Sequence, residues 1–73
     1  MGRLLDYKKW IGGKVTVLRT SRGMSRDDLA NATGLKLQYI TELENGLKSP
    51  SFIVRKKLAK ALKIKEKELD IAA

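Results

Sequence analysis

The sequence predicts an all-α fold, a single compact domain of four to five helices. Three observations predict it. Apolar residues recur at the spacing of one helix face, as Ile11, Val15 and Leu18 do at i, i+4 and i+7. Sustained period-2 alternation is missing, and so are hairpin turns between β-branched runs, so nothing marks a strand. Residues that start or stop helices, Gly23, Ser25, Gly34, Gly46 and Pro50, punctuate the apolar stretches. A chain of 73 residues has room for one small domain, near the lower limit for an independent core.

Residues 1–7 read as an N-terminal arm and residues 8–73 as the domain, with 65–73 as a short C-terminal helix or tail. The first helix runs from about Tyr7 to Ser21, with Asp6 as its N-cap. Gly12 and Gly13 each weaken it by roughly 1 kcal/mol relative to Ala, which admits a start as late as Gly12. Gly23 ends it. Ser25 caps the second helix, Asp28 completes a weak capping box, and Asp27 adds favourable charge at the same end. Leu29 and Ala30 share one face of that helix, and the small Ala30 lets the next helix cross closely. Gly34 follows where a left-handed residue is wanted. Leu35 then turns inward, and Ile40 and Leu43 carry the apolar period of a third helix over about Lys36 to Asn45. Residues 25–46 therefore form a helix-turn-helix, the arrangement whose second helix enters the DNA major groove.

A loop from Gly46 to Pro50 leads to a fourth helix capped by Ser49 or Ser51, with Phe52, Leu58, Ala59 and Leu62 as its buried stripe. Lys63 to Lys65 is a short link. Glu66 to Ile71 forms a last turn or two, with Leu69 inward.

Composition narrows the function. The net charge is +8, from 16 Lys and Arg against 8 Asp and Glu, which favours a polyanionic partner. There is no cysteine and no histidine, so no disulfide, metal or cofactor is expected, and the commonest general base is absent. With no nucleotide-binding loop either, an enzyme is not expected. No apolar run approaches the ~20 residues of a membrane span, and Leu4 and Leu5 run straight into Asp6, Lys8 and Lys9 rather than a secretory signal. A cytoplasmic, nucleoid-associated protein is the expectation.

From Ile11 to Leu69 the chain resembles the DNA-binding domain of phage repressors and Cro proteins, the XRE family. The matching pieces are IGGKVTVLR, GMSRDDLA, the turn Gly34-Leu35, YITELENG, KSPSF and LAKAL, in order and in register. The resemblance implies a lambda-repressor-like domain whose third helix reads bases through Lys36, Leu37, Gln38, Thr41 and Glu42. Gln38 can pair bidentately with adenine, Lys36 can reach guanine or phosphate, and Leu37 can touch a thymine methyl. Glu42 either accepts from cytosine N4 or holds Lys36 or Gln38 in place. Leu37 stands where the family puts a polar reader, and Lys36 replaces the usual Ser or Thr cap. Backbone contacts fall to Ser25, Arg26, Tyr39, Asn45, Lys48, Ser49 and Ser51. Arg26 replaces the family's Gln and is either a phosphate contact or a solvated residue at a helix start. Tyr39 is core filler as much as a phosphate donor. Arg19 and Glu44 match a pair that in this family forms a partly buried salt bridge between the first and third helices.

The basic run Arg55, Lys56, Lys57, Lys60, Lys63, Lys65 and Lys67 reads as a solvated face that steers association. Leu62, Ile64, Leu69 and Ile71 either form a homodimer patch or close the monomer core. The expected function is sequence-specific double-stranded DNA binding by a small transcriptional regulator, most simply a repressor. It would act as a homodimer on a near-palindromic operator, with no small-molecule domain. An antitoxin or a restriction-modification controller lies within the same class. A protein-bridging module on the same fold is the alternative from another class.

Overall fold

A computed structural model describes residues 3–70, with side chains from Tyr7 onward. Four α-helices follow one another: α1 (Arg3–Ser21), α2 (Arg26–Thr33), α3 (Leu37–Glu44) and α4 (Phe52–Leu62). A 3-10 turn, Glu66–Leu69, closes the described chain. No strand occurs among the described residues, as the missing alternation implied.

The α1 helix starts at Arg3, several residues before Tyr7, so backbone assigned to the arm is helical and the two glycines do not delay the start. The reason is tertiary. A Cβ at Gly12 would lie 2.5 Å from the Leu43 carbonyl oxygen and 2.8 Å from that of Glu44. Gly12 thus lets α1 cross the C-terminal end of α3 backbone to backbone, and that packing offsets the low helix propensity of glycine. Gly13 is exposed and meets nothing.

The core is drawn from every element. Ile11, Val15, Leu29, Ile40, Leu43, Leu58, Leu62 and Leu69 are fully buried, and Ala30 and Ala59 nearly so. Leu18, Leu35 and Tyr39 pack against this cluster while remaining half-exposed. Phe52 does not join it. With 57% of its surface exposed, it departs from the predicted stripe, and Val54 and Ala61 pack on the core beside Leu58 and Leu62 instead. At 3.6 residues per turn, Phe52 and Leu58 point about 120° apart. Leu62 and Leu69 are spent inside the monomer, Ile64 is half-buried, and Ile71 lies outside the described residues.

Local chemistry fixes the boundaries. Ser25 caps α2 by accepting from Asp28 N–H at 3.0 Å, and Asp28 Oδ2 accepts from Ser25 N–H at 2.8 Å, a complete capping box. Gly34, at φ 75°, closes α2 with its N–H on the Ala30 carbonyl at 2.8 Å. The buried Thr33 hydroxyl donates to Leu29 O at 2.8 Å and accepts from Leu35 N–H at 3.2 Å, so it ties both sides of the turn. Ser51, not Ser49, caps α4 by accepting from Val54 N–H. Lys63 takes a left-handed φ of 57° after α4. At the far end, Tyr7 Oη donates to the Leu69 carbonyl at 2.9 Å and joins α1 to the 3-10 turn.

Candidate nucleic-acid interface

The α2–Gly34–α3 unit holds α3 with Ile40 and Leu43 buried and its N-terminal face outward. Lys36, Leu37 and Gln38 are exposed there, and Thr41 and Glu42 half-exposed one turn on. Lys36 occupies the N-cap without a side-chain bond to the helix. Leu37 keeps 44% of its surface exposed. Gln38 Nε2 donates to Glu42 Oε2 at 3.3 Å. Lys48 Nζ, from the following loop, lies 3.8 Å from Glu42 Oε1. Of the two partners considered for Glu42 in the sequence, the structure supplies Gln38 and adds Lys48, not Lys36.

Behind this face sits a buried carboxylate. The Glu44 side chain is fully buried, and Arg19 grips it with a fork: Nε to Oε2 at 2.7 Å and Nη2 to Oε1 at 2.9 Å. Arg19 Nη1 also donates to the Met24 carbonyl at 2.8 Å. Arg26 adds Nε to Glu44 Oε1 at 2.9 Å while its side chain stays 40% exposed. Burial is the largest single influence on the Glu44 carboxyl and opposes its ionisation. The hydrogen bonds from Arg19 and Arg26, the Arg19 charge and the Thr16 hydroxyl together outweigh it and hold the group below the usual carboxylate range. The hydrogen bond to Glu44 holds the Arg19 guanidinium correspondingly high.

The residues assigned to backbone contact surround α3. Ser25 N–H is already taken by Asp28, and Asp27 and Asp28 place negative charge at the α2 N-terminus. Arg26, at the same end, gives its Nε to Glu44 and keeps its side chain 40% exposed. Tyr39 is half-buried, and burial first, then the neighbouring Tyr7, pushes its phenol upward, so it stays a protonated donor at neutral pH. Asn45, Lys48, Ser49 and Ser51 are exposed along the loop after α3, with Pro50 buried beneath them.

Sequence reasoning did not foresee Arg26 on Glu44, a contact between residues 18 apart with no local signature. The i, i+4 spacing of Gln38 and Glu42 did signal their contact. Arg55 bonds the Pro50 carbonyl at 3.2 Å, and it and Lys56 stand over the exposed Phe52 ring at 5.9 and 4.9 Å.

Residues 17–69, from the C-terminal end of α1 to the 3-10 turn, match the helix-turn-helix family model HTH_3. The chain belongs to the HTH_3 family. It is 31% identical, over 65 residues, to an uncharacterised HTH-type transcriptional regulator of Sinorhizobium fredii; the match covers 89% of this chain and 84% of that protein. Among solved structures it is similar to the restriction-modification controller protein C.AhdI of Aeromonas hydrophila. The TM-score is 0.81 at 38% identity, covering 88% of this chain and 96% of the controller. A Vibrio cholerae HTH_3-family transcriptional regulator superposes with TM-score 0.84 at 29% identity, over 90% of this chain but 37% of that one. The HTH_3 domain here is of the all-α, lambda-repressor-like kind that the XRE resemblance implied.

Proposed function

We propose that this HTH_3 protein is a sequence-specific double-stranded DNA-binding transcriptional regulator, acting without a catalytic step. The observation that carries it is the exposed Lys36–Leu37–Gln38 face of α3, held outward by buried Ile40 and Leu43 in a chain of net charge +8. In this reading α3 lies in the major groove and Lys36, Leu37, Gln38, Thr41 and Glu42 face the base edges. Arg26 and Ser25 on one side, with Tyr39, Asn45, Lys48, Ser49 and Ser51 on the other, meet phosphates. Acting on DNA places the protein inside the cell in this reading. No helix among the described residues is long and apolar enough to cross a membrane.

The reading includes a homodimer on a near-palindromic site, its two α3 helices about 34 Å apart. Because Leu62 and Leu69 are consumed by the core, the apolar side chains left for a partner are others, such as Leu47, Phe52 and Ile53, each more than half exposed. The 38% identity with C.AhdI across 96% of that controller favours a restriction-modification controller as the second reading within this class. Selection of bound sequences from random duplexes, with a salt titration of the winner, tests the proposal. A two-fold symmetric consensus whose affinity falls steeply with salt is expected. Equal weak binding to every sequence would favour a protein-bridging module instead.

A further inference from the structure

Glu42 stands on a surface proposed to face a polyanion, where a lone carboxylate would repel phosphate. It is not alone. Its Oε2 holds the Gln38 amino group at 3.3 Å and its Oε1 lies 3.8 Å from the Lys48 ammonium. Because a carboxylate only accepts hydrogen bonds, the Gln38 amide can present only its NH2 end to Glu42. Turning the amide over would set oxygen against oxygen. The carbonyl oxygen of Gln38 is thereby left as an outward acceptor, with the second amino hydrogen beside it. Lys48 compensates the charge that fixes this orientation and links the reading helix to the loop that follows it.

In the major groove, adenine offers an amino donor beside the N7 acceptor, and cytosine offers an amino donor. Guanine and thymine present carbonyl oxygens instead. Resting on the DNA-reading role given to α3, we propose that Glu42 is a positioning residue that sets the base read by Gln38. That base carries an exocyclic amino group, adenine ahead of cytosine. Glu42 need not touch the base to do so; it acts through the amide it holds.

Parallel selections with wild type, Gln38→Ala, Glu42→Ala and Glu42→Gln test this, with thermal unfolding of each variant as a control on folding. Gln38→Ala identifies the operator position concerned. Wild type is expected to choose adenine or cytosine there. Glu42→Ala is expected to flatten that one position by roughly tenfold, tighten binding to scrambled duplex and leave the melting temperature near wild type. Glu42→Gln, isosteric but free of the constraint, is expected to admit guanine or thymine at the same place. Guanine or thymine chosen by wild type would overturn the proposal. So would an unchanged preference in Glu42→Ala, or a loss spread evenly over all positions. If wild type selects no sequence at all, the DNA-reading role fails first and this inference falls with it.

Discussion

Arg26 Nε meets Glu44 Oε1 at 2.9 Å, so the first residue of α2 and the last of α3 share a carboxylate that Arg19 of α1 also holds. Three helices are thus fixed by one buried side chain directly behind the exposed face of α3. Arg19→Ala would leave Glu44 buried with a single charged partner, the half-exposed Arg26, and should cost about 3–5 kcal/mol. Arg26→Ala, at the wetter end of the network, should cost about 1 kcal/mol or less. Urea unfolding of the two variants checks the order; equal losses would contradict it.

The same carboxylate makes stability depend on pH. Its folded-state pKa lies below the ordinary value, so between the two values the unfolded chain binds the extra proton. The contribution is therefore present above the usual carboxylate pKa of about 4.3 and is lost as pH falls through the lower, folded value. Urea midpoints from pH 7 down to pH 3 should fall for wild type in the acid range. They should fall less steeply for Glu44→Gln, although that variant is weaker throughout.

The two glycines of α1 should respond with opposite signs. Gly12→Ala drives a Cβ into the Leu43 and Glu44 carbonyls and should destabilise by about 1–3 kcal/mol. Gly13→Ala meets no atom within 4 Å and should stabilise by about 1 kcal/mol through helix propensity. Thermal unfolding of the pair decides; stabilisation by both would mean that α1 and α3 do not meet closely.

Two further changes probe the C-terminal end. Lys63 holds a left-handed φ of 57° that an L side chain adopts at a cost. Lys63→Gly should therefore raise stability by about 0.5–1 kcal/mol. Tyr7→Phe removes the bond to the Leu69 carbonyl and should lower stability by about 1 kcal/mol. Chemical denaturation of each variant checks both signs.

What could be read in the sequence was what local chemistry decides. Ser25 with Asp28 and Gly34 after α2 each act within a few residues, and the Leu29, Ile40 and Leu43 faces follow from helical period alone. The Arg19–Glu44 contact was accessible only through resemblance, because 25 residues separate the partners. Gly12 looks like a helix weakener in its local sequence because its reason lies on α3, against the Leu43 and Glu44 carbonyls. Phe52 lies outside the buried stripe because angular position on α4, not hydrophobicity, decides which side chains reach the core. Within the candidate interface, the sequence indicated which residues face outward and offered Gln38 as a partner of Glu42, but not Lys48, which reaches Glu42 from the following loop.

In the proposed complex α3 reads bases while its neighbours grip phosphate. The most direct measurement compares wild type, Gln38→Ala and Arg26→Ala on the selected duplex and on a scrambled duplex of equal length, across a salt series. Gln38→Ala should lose about 1–3 kcal/mol on the selected duplex alone. Arg26→Ala should weaken both duplexes alike and reduce the salt slope by about one. Identical behaviour of the two variants, or no preference by wild type between the duplexes, would contradict the account.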